Sequence, residues 1–264
     1  MTESTLTGKV VLVTAASEGL GFACAKQFAS AGCSIAICGR RQEMLDRASR
    51  ELKSIDNTPV LAEAVDLTQA SAIEGLVSAV EERFGGLDIL IVNSGHIPYG
   101  GIEDFDDDQW QMAFELLLMS AVRLTRLAIP LMRRRGGGDI VFVSSATTRN
   151  PPPHLLLSSV MRLGVAALAK TVARDLAGDN IRVNIVAPGL FDTGRVARRI
   201  DELMAEQESS RDEAIAAFAR EVPMNRVGVA EELAELVAFI VSRRAAYITG
   251  TTIAIDGGMD RSVP

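Results

Sequence analysis

The segment Thr14-Ala15-Ala16-Ser17-Glu18-Gly19-Leu20-Gly21 joins an apolar, strand-like run to a helical one. A turn at such a place can bring main-chain N–H groups up to a phosphate, provided that no Cβ stands in the way. The first turn of the following helix adds free N–H groups and a partial positive charge. Phosphate binding is one reading; a tight turn between strand and helix is the other. The two histidines, His96 and His154, are further candidates. An imidazole can hand over a proton near neutral pH, and either residue could equally be an ordinary loop side chain. Cys24, Cys33 and Cys38 are odd in number and have no metal-ligand spacing. They are expected to be reduced, mostly buried thiols of a cytoplasmic protein, with no metal site.

These residues need a scaffold, and apolar strand-like runs alternate with helical patterns along the whole chain. Strands are predicted at 9–14, 34–38, 60–65, 87–92, 140–143, 182–186 and 251–255. Helices are predicted at 20–31, 42–55, 70–84, 107–135, 158–177 and 231–242. Strands that are apolar throughout and separated by helices imply a parallel sheet covered on both faces. The fold class is therefore α/β: one Rossmann-type, doubly wound parallel sheet of about seven strands, filling residues 1–264 as a single domain. Residues 190–225 break the alternation, are rich in Arg, Glu and Ala, and are expected to form a helical lid over the substrate.

The 264 residues are 48% hydrophobic and 23% charged, with a net charge of -7. Such a chain can bury a large core and offers no basic stripe for nucleic acid. The run Arg133-Arg134-Arg135 is short and reads as a solvated helix end. No apolar stretch approaches about 18 uninterrupted residues, so no membrane span is expected. The start, MTESTLTGK, has no basic flank leading into an apolar run and does not read as a signal peptide.

In its order of motifs the chain resembles the short-chain dehydrogenase/reductase superfamily, in particular its 3-oxoacyl-carrier-protein reductase-like members. The first loop matches Thr-Gly-x-x-x-Gly-x-Gly with Ala15 in place of the first glycine. Asp66, followed by Leu67, matches the position that contacts adenine. Asn93, Ser94 and Gly95 follow Val92 where the family has Asn-Asn-Ala-Gly. Pro188, Gly189, Leu190 and Thr193 match the segment that holds the nicotinamide end, and Ile248-Thr249-Gly250 with Asp256-Gly257-Gly258 looks like the C-terminal signature. The resemblance implies a nicotinamide cofactor, a small-molecule substrate and hydride transfer. It assigns Ala15, Ser17, Glu18, Gly19, Leu20, Gly21, Gly39, Arg40, Arg41, Asp66, Leu67, Asn93, Ser94, Gly95, Pro188, Gly189, Leu190 and Thr193 to the cofactor.

The end of the second strand bears on which cofactor. An acidic residue at position 39 would accept bonds from the adenosine ribose and repel a 2′-phosphate. Gly39 does neither, and Arg40 can pair with that phosphate. NADP is favoured over NAD, although Glu18 in the phosphate loop pulls the other way, and Arg40 and Arg41 could be plain surface residues.

The catalytic positions depart from the family. Ser145 matches its Ser; the Tyr position, thirteen residues on, is Ser158; the Lys position is Arg162; the Asn position on the long helix is Leu117. Ser145, Ser158 and Arg162 are the catalytic candidates. An aliphatic hydroxyl is a far weaker acid than a phenol. Arg162 keeps its charge at any working pH and cannot shuttle a proton. Leu117 shares a helical face with Phe114, Leu118 and Ala121, as a core residue would. Two readings follow: an oxidoreductase with an atypical active site, or a dinucleotide-binding protein without redox chemistry, such as a sensor, a partner-binding module, or a lyase or isomerase. Leu124, Leu127, Leu168 and Val172 are expected to leave an apolar patch on the two long helices, which the family uses as a self-complementary face, so a homodimer or homotetramer is expected.

Overall fold

A computed structural model of the chain describes residues 6–193 and 222–262 continuously, with positions 204, 210, 213, 215, 216, 219 and 220 between them. Seven strands form one sheet: β1 (Val10–Val13), β2 (Ser34–Gly39), β3 (Val60–Ala64), β4 (Ile89–Val92), β5 (Gly138–Val143), β6 (Ile181–Pro188) and β7 (Thr252–Ile255). Their order is β3-β2-β1-β4-β5-β6-β7, and every neighbouring pair is parallel. The chain runs outward from β1 through β3 and then returns to lay β4 on the other side of β1. That reversal opens a crevice at the carboxyl ends of β1 and β4, where ligands of such sheets bind.

Helices cover both faces. On one lie α1 (Gly19–Ser30), α2 (Gln42–Lys53) and α7 (Ala230–Val241); on the other lie α3 (Ala70–Phe84), α4 (Asp107–Ala113), α5 (Ser120–Arg134) and α6 (Leu156–Leu176). Each face has its own apolar core, and alternate residues of β1 divide between them: Val10 and Leu12 join one cluster, Val11 and Val13 the other. The single α/β sheet with helices on both faces is as the sequence implied. The lid expected at 190–225 lies for the most part outside the described residues.

Three expectations need correction. The stretch 107–135 is not one regular helix. Asp106 caps α4 by accepting from the Gln109 N–H at 2.9 Å, while Gln109 Oε1 accepts from the Asp106 N–H at 3.0 Å. The segment Phe114–Met119 is then wound as a π-helix before α5 resumes. Leu117 lies in that turn and is buried in the core cluster together with Ala121, as its apolar neighbours suggested. Leu124, expected on an exposed patch, is fully buried in the same cluster, and Leu127, Leu168 and Val172 pack against it. The exposed apolar residues of α6 are Val160 and Leu163.

Helix α6 begins at Leu156, two residues earlier than predicted, so Ser158 lies inside its first turn. With the short 3-10 turn that follows, Leu156–Asp179 is long and apolar enough, by length and composition, to cross a membrane. In this fold Leu157, Met161, Val165, Ala169, Ala173 and Leu176 recur at intervals of three or four and are all buried in the core. The helix is a core helix on that evidence.

Candidate active site

The loop after β1 is locked to the loop after β4 by side chains that the sequence places 79 residues apart. The Thr14 hydroxyl donates to the Asn93 carbonyl at 2.6 Å and accepts from the Asn93 N–H at 2.9 Å. The Asn93 amide donates back to the Ala15 carbonyl at 3.1 Å. Gly21 sits inside this clasp. A Cβ there would lie 2.7 Å from the Ala15 carbonyl oxygen and 2.8 Å from Asn93 Nδ2. Ala15, which replaces the family glycine, has φ of 46°, and Gly19 has φ of 62°. The loop therefore keeps a glycine-like path at position 15 even with an alanine there. Thr193 reaches over the loop: a Cβ on Gly19 would touch its Cγ2 at 3.8 Å. Gly189 packs against Asp256, where a Cβ would be 2.7 Å from the aspartate Cβ, and its N–H donates to the Ile255 carbonyl at 2.9 Å.

The arrangement fits a dinucleotide: a cradle with no room for a Cβ, free N–H groups at the start of α1, and a threonine opposite. At the adenosine end, Gly39 faces Ser17, whose Oγ would lie 3.1 Å from an added Cβ, so a side chain there would require Ser17 to give by a few tenths of an ångström. Glu18 Oε1 accepts from Arg41 at 2.7 Å, which offsets the negative charge the sequence placed in the phosphate loop. Arg40 is exposed and has no side-chain partner among the described residues. Asp66 Oδ1 accepts from the Thr68 N–H and hydroxyl at 3.0 and 2.9 Å, so part of its carboxylate is spent on its own turn. The Leu67 side chain is buried in the core, and Leu20 packs on the other core cluster; both can meet a cofactor chiefly through the main chain.

Two of the catalytic candidates, Ser158 and Arg162, meet each other, and the guanidinium gathers further partners. Arg162 donates through Nε to Ser158 Oγ at 3.2 Å, through Nη1 to the Val143 carbonyl at 3.0 Å and through Nη2 to Ser94 Oγ at 3.2 Å. The partners come from α6 itself, the end of β5 and the loop after β4. Ser158 and Arg162 share a helix face because they are four residues apart. Ser145, half-buried, lies two residues past the end of β5, and its carbonyl accepts from the Thr148 hydroxyl at 2.9 Å. Ser94, read from the sequence as a cofactor residue, is thus also a second-loop anchor for the cation, a contact that nothing in the local pattern announces.

The two histidines are also brought together. The Gly100 N–H donates to the His154 carbonyl at 2.8 Å, stitching the loop after β4 to the segment before α6. The Tyr99 ring then stands between the imidazoles, 5.6 Å from His96 and 5.9 Å from His154, centroid to centroid. This loop is anchored at Ser94 beside Arg162 and at Gly100 beside Leu155, so the aromatic group runs along the first turns of α6, which carry Ser158. The sequence alone does not show that His96 and His154 meet the same ring.

Residues 14–260 match the family model described as enoyl-(acyl carrier protein) reductase. A curated relative, dehydrogenase/reductase SDR family member 4 of Bos taurus, is 36% identical over 96% of this chain and 88% of its own length. Among solved structures, the L-sorbose reductase of Gluconobacter frateurii, complexed with NADPH and L-sorbose, is 35% identical with a TM-score of 0.96, covering 99% of this chain and 100% of that one. A short-chain oxidoreductase of Pseudomonas aeruginosa PAO1, described as containing an atypical catalytic center, is 29% identical with a TM-score of 0.90, covering 97% and 98%. The strand order, the glycine-lined cradle and these likenesses over nearly the full length agree: the chain belongs to the short-chain dehydrogenase/reductase superfamily, a family of oxidoreductases.

Proposed function

We propose that the chain is an NADPH-dependent oxidoreductase of a small carbonyl or alcohol substrate, 3-oxoacyl reductase-like, with an atypical active site that lacks the family Tyr, Lys and Asn. The observation that carries this reading is the turn around Gly21, where a Cβ would meet the Ala15 carbonyl and Asn93, as the close strand-to-helix turn of a dinucleotide cradle requires. NADPH in the sorbose reductase neighbour supports the choice of cofactor. When bound, the nicotinamide supplies the hydride chemistry. The chain's own residues do the rest. The loop Ala15–Gly21 and the α1 N-terminus hold the phosphates, Arg40 pairs with the 2′-phosphate, and Pro188, Gly189 and Thr193 flank the nicotinamide end. Arg162, fixed at three points, holds a ribose hydroxyl or the substrate oxygen with a permanent charge. Ser145 polarises that oxygen.

NADPH is expected to bind more tightly than NADH in a fluorescence titration, and Arg40→Asp is expected to remove the difference at a cost of a few kcal/mol for a charge pair replaced by a repulsion. Equal or reversed affinities in the parent would overturn the NADP assignment. Oxidation of NADPH with ketones or 3-oxoacyl thioesters tests the redox step. Tight NADPH binding with no turnover across that panel would favour the non-redox reading, which the burial of Leu117 and the loss of the phenol support.

We also propose a homodimer or homotetramer, supported by Val160 and Leu163, which are 44% and 46% exposed on α6. Light scattering at micromolar concentration is expected to give at least twice the 28.2 kDa chain mass, and a monomer would refute it. The three thiols, free and buried, accord with a reducing compartment such as the cytoplasm.

A further inference from the structure

One cavity lined by described residues is not at the cradle. It lies at the opposite pole of the sheet and holds about 540 Å³. Lys9 immediately precedes β1, Asp88 precedes β4, and Asp139 and Arg182 are the second residues of β5 and β6, so the cavity opens at the amino ends of the four central strands. Strands of four to eight residues separate it from the cofactor crevice by roughly 13–26 Å. Its volume falls in the range of small-molecule sites.

Its charges do not cancel. Four cations line it, Lys9, Arg135, Arg182 and Arg243, against two carboxylates, Asp88 and Asp139. Asp88 accepts from Lys9 Nζ and from Arg135 Nη2, both at 2.8 Å, and from the Val10 N–H at 2.9 Å, so one buried carboxylate serves two cations. Arg182 sits 2.7 Å from Asp139. Arg243 is exposed and has no side-chain partner among the described residues. The excess is two positive charges in a chain whose net charge is -7. The cations are also held in place: Asp88 fixes Lys9 and Arg135, and Arg182 donates to the Ala245 and Ser242 carbonyls besides Asp139. One wall is shaped by the turn Gly136–Gly138. A Cβ on Gly137 would run into the Asn180 carbonyl, and one on Gly138 would be 2.8 Å from the Asp88 carbonyl.

We propose that this basal cavity binds a small multivalent oxyanion, carrying a phosphoryl group or several carboxylates. Fixed donors with surplus positive charge lower the cost of ordering such a ligand and draw it in from solution. A dianion matches the excess. Burial pushes the Asp139 carboxyl up to about 7 despite the neighbouring guanidinium of Arg182, the other charges around it being Lys9 and Asp88. An arriving anion favours the protonated form of that carboxyl, which adds to the positive excess. The site is independent of the cofactor reading, because no residue is shared between the two.

Isothermal titration of the full chain at low ionic strength, with inorganic phosphate in one arm and citrate in the other, tests this. Saturable binding at one basal site is expected for at least one of the two anions. Binding of phosphate alone would mark a phosphoryl ligand, of citrate alone a polycarboxylate, and of both the shared oxyanion chemistry. Arg243→Glu is expected to weaken binding about tenfold or more, since it reverses a charge that anchors nothing else. Ala246→Glu, which puts a carboxylate on an exposed lining residue, is expected to do the same. Both variants should melt with the parent when no anion is present. Saturating NADPH should leave this binding unchanged, which separates it from phosphate lodging in the cofactor cradle. No saturable heat for either anion, unchanged affinity in Arg243→Glu and Ala246→Glu, or loss of the binding in saturating NADPH would overturn the proposal.

Discussion

Alanine at position 21 is expected to weaken NADPH binding by at least about a hundredfold. One methyl group suffices because of what already occupies its place. The added Cβ would stand 2.7 Å from a carbonyl oxygen, 2.8 Å from Asn93 Nδ2 and 3.0 Å from the Ala16 Cα. Two of these three atoms are backbone. The third belongs to a side chain committed to the Ala15 carbonyl. Relief therefore requires the start of α1 to move, and with it the N–H groups aimed at the pyrophosphate. Overpacking of this kind costs about 1–3 kcal/mol of stability as well. Gly75→Ala on the exposed side of α3 is the control, because nothing lies within 4 Å of a Cβ built there. A fluorescence titration of both variants decides the matter, and parental affinity in Gly21→Ala would show that the loop is not the phosphate cradle.

Arg162→Met is expected to cost about a hundredfold or more in hydride transfer, far more than Ser158→Ala. The guanidinium joins the end of β5 and the loop after β4 to α6. Hydrogen bonds to charged groups contribute about 1.5–3 kcal/mol each, and methionine leaves all three partners without their donor. Ser158 contributes a single acceptor to the same guanidinium, at 3.2 Å. An aliphatic hydroxyl is a poor acid, so Ser158→Ala should leave any native activity largely unchanged. A loss of about 10² on that change would instead identify Ser158 as the proton donor.

The pair Ser158→Tyr with Arg162→Lys is expected not to restore ketone reduction. A lysine ammonium cannot reproduce the planar fork that spans Ser94 and Val143. A phenol would have to enter a position only 9% exposed, and Leu117 still offers no polar atom for a relay. Robust 3-oxoacyl reduction by the double variant, absent from the parent, would show that the centre was otherwise intact.

The fold was legible because its signals are local. The central strands are short runs of buried Val, Ile and Leu, as in Val10–Val13 and Ile89–Val92, and the intervening helices carry their own periodicity. The π-turn at Phe114–Met119 was not legible, since Phe114-Glu115-Leu116-Leu117-Leu118-Met119 fits an ordinary α-helix equally well until packing on both sides selects the wider winding. The glycines and the substituted catalytic positions could be found from spacing. What those substitutions do could not. The contact of Arg162 with Ser94 spans 68 residues, and the edge-on and tilted contacts of Tyr99 with His96 and His154 depend on two loops meeting. The same holds for Leu124, whose helix face was misjudged because the winding upstream of it changes phase.

The three cysteines offer a practical handle. Cys24 and Cys38 are fully enclosed and Cys33 nearly so, and burial pushes all three thiols up to about 12. At neutral pH almost none of any of them exists as the reactive thiolate, and no reagent reaches them in the folded state. The native chain is thus a near-silent background for maleimide or spin-label attachment. A single cysteine installed at the wholly exposed Tyr247 would label alone, without first stripping the natural thiols from the core.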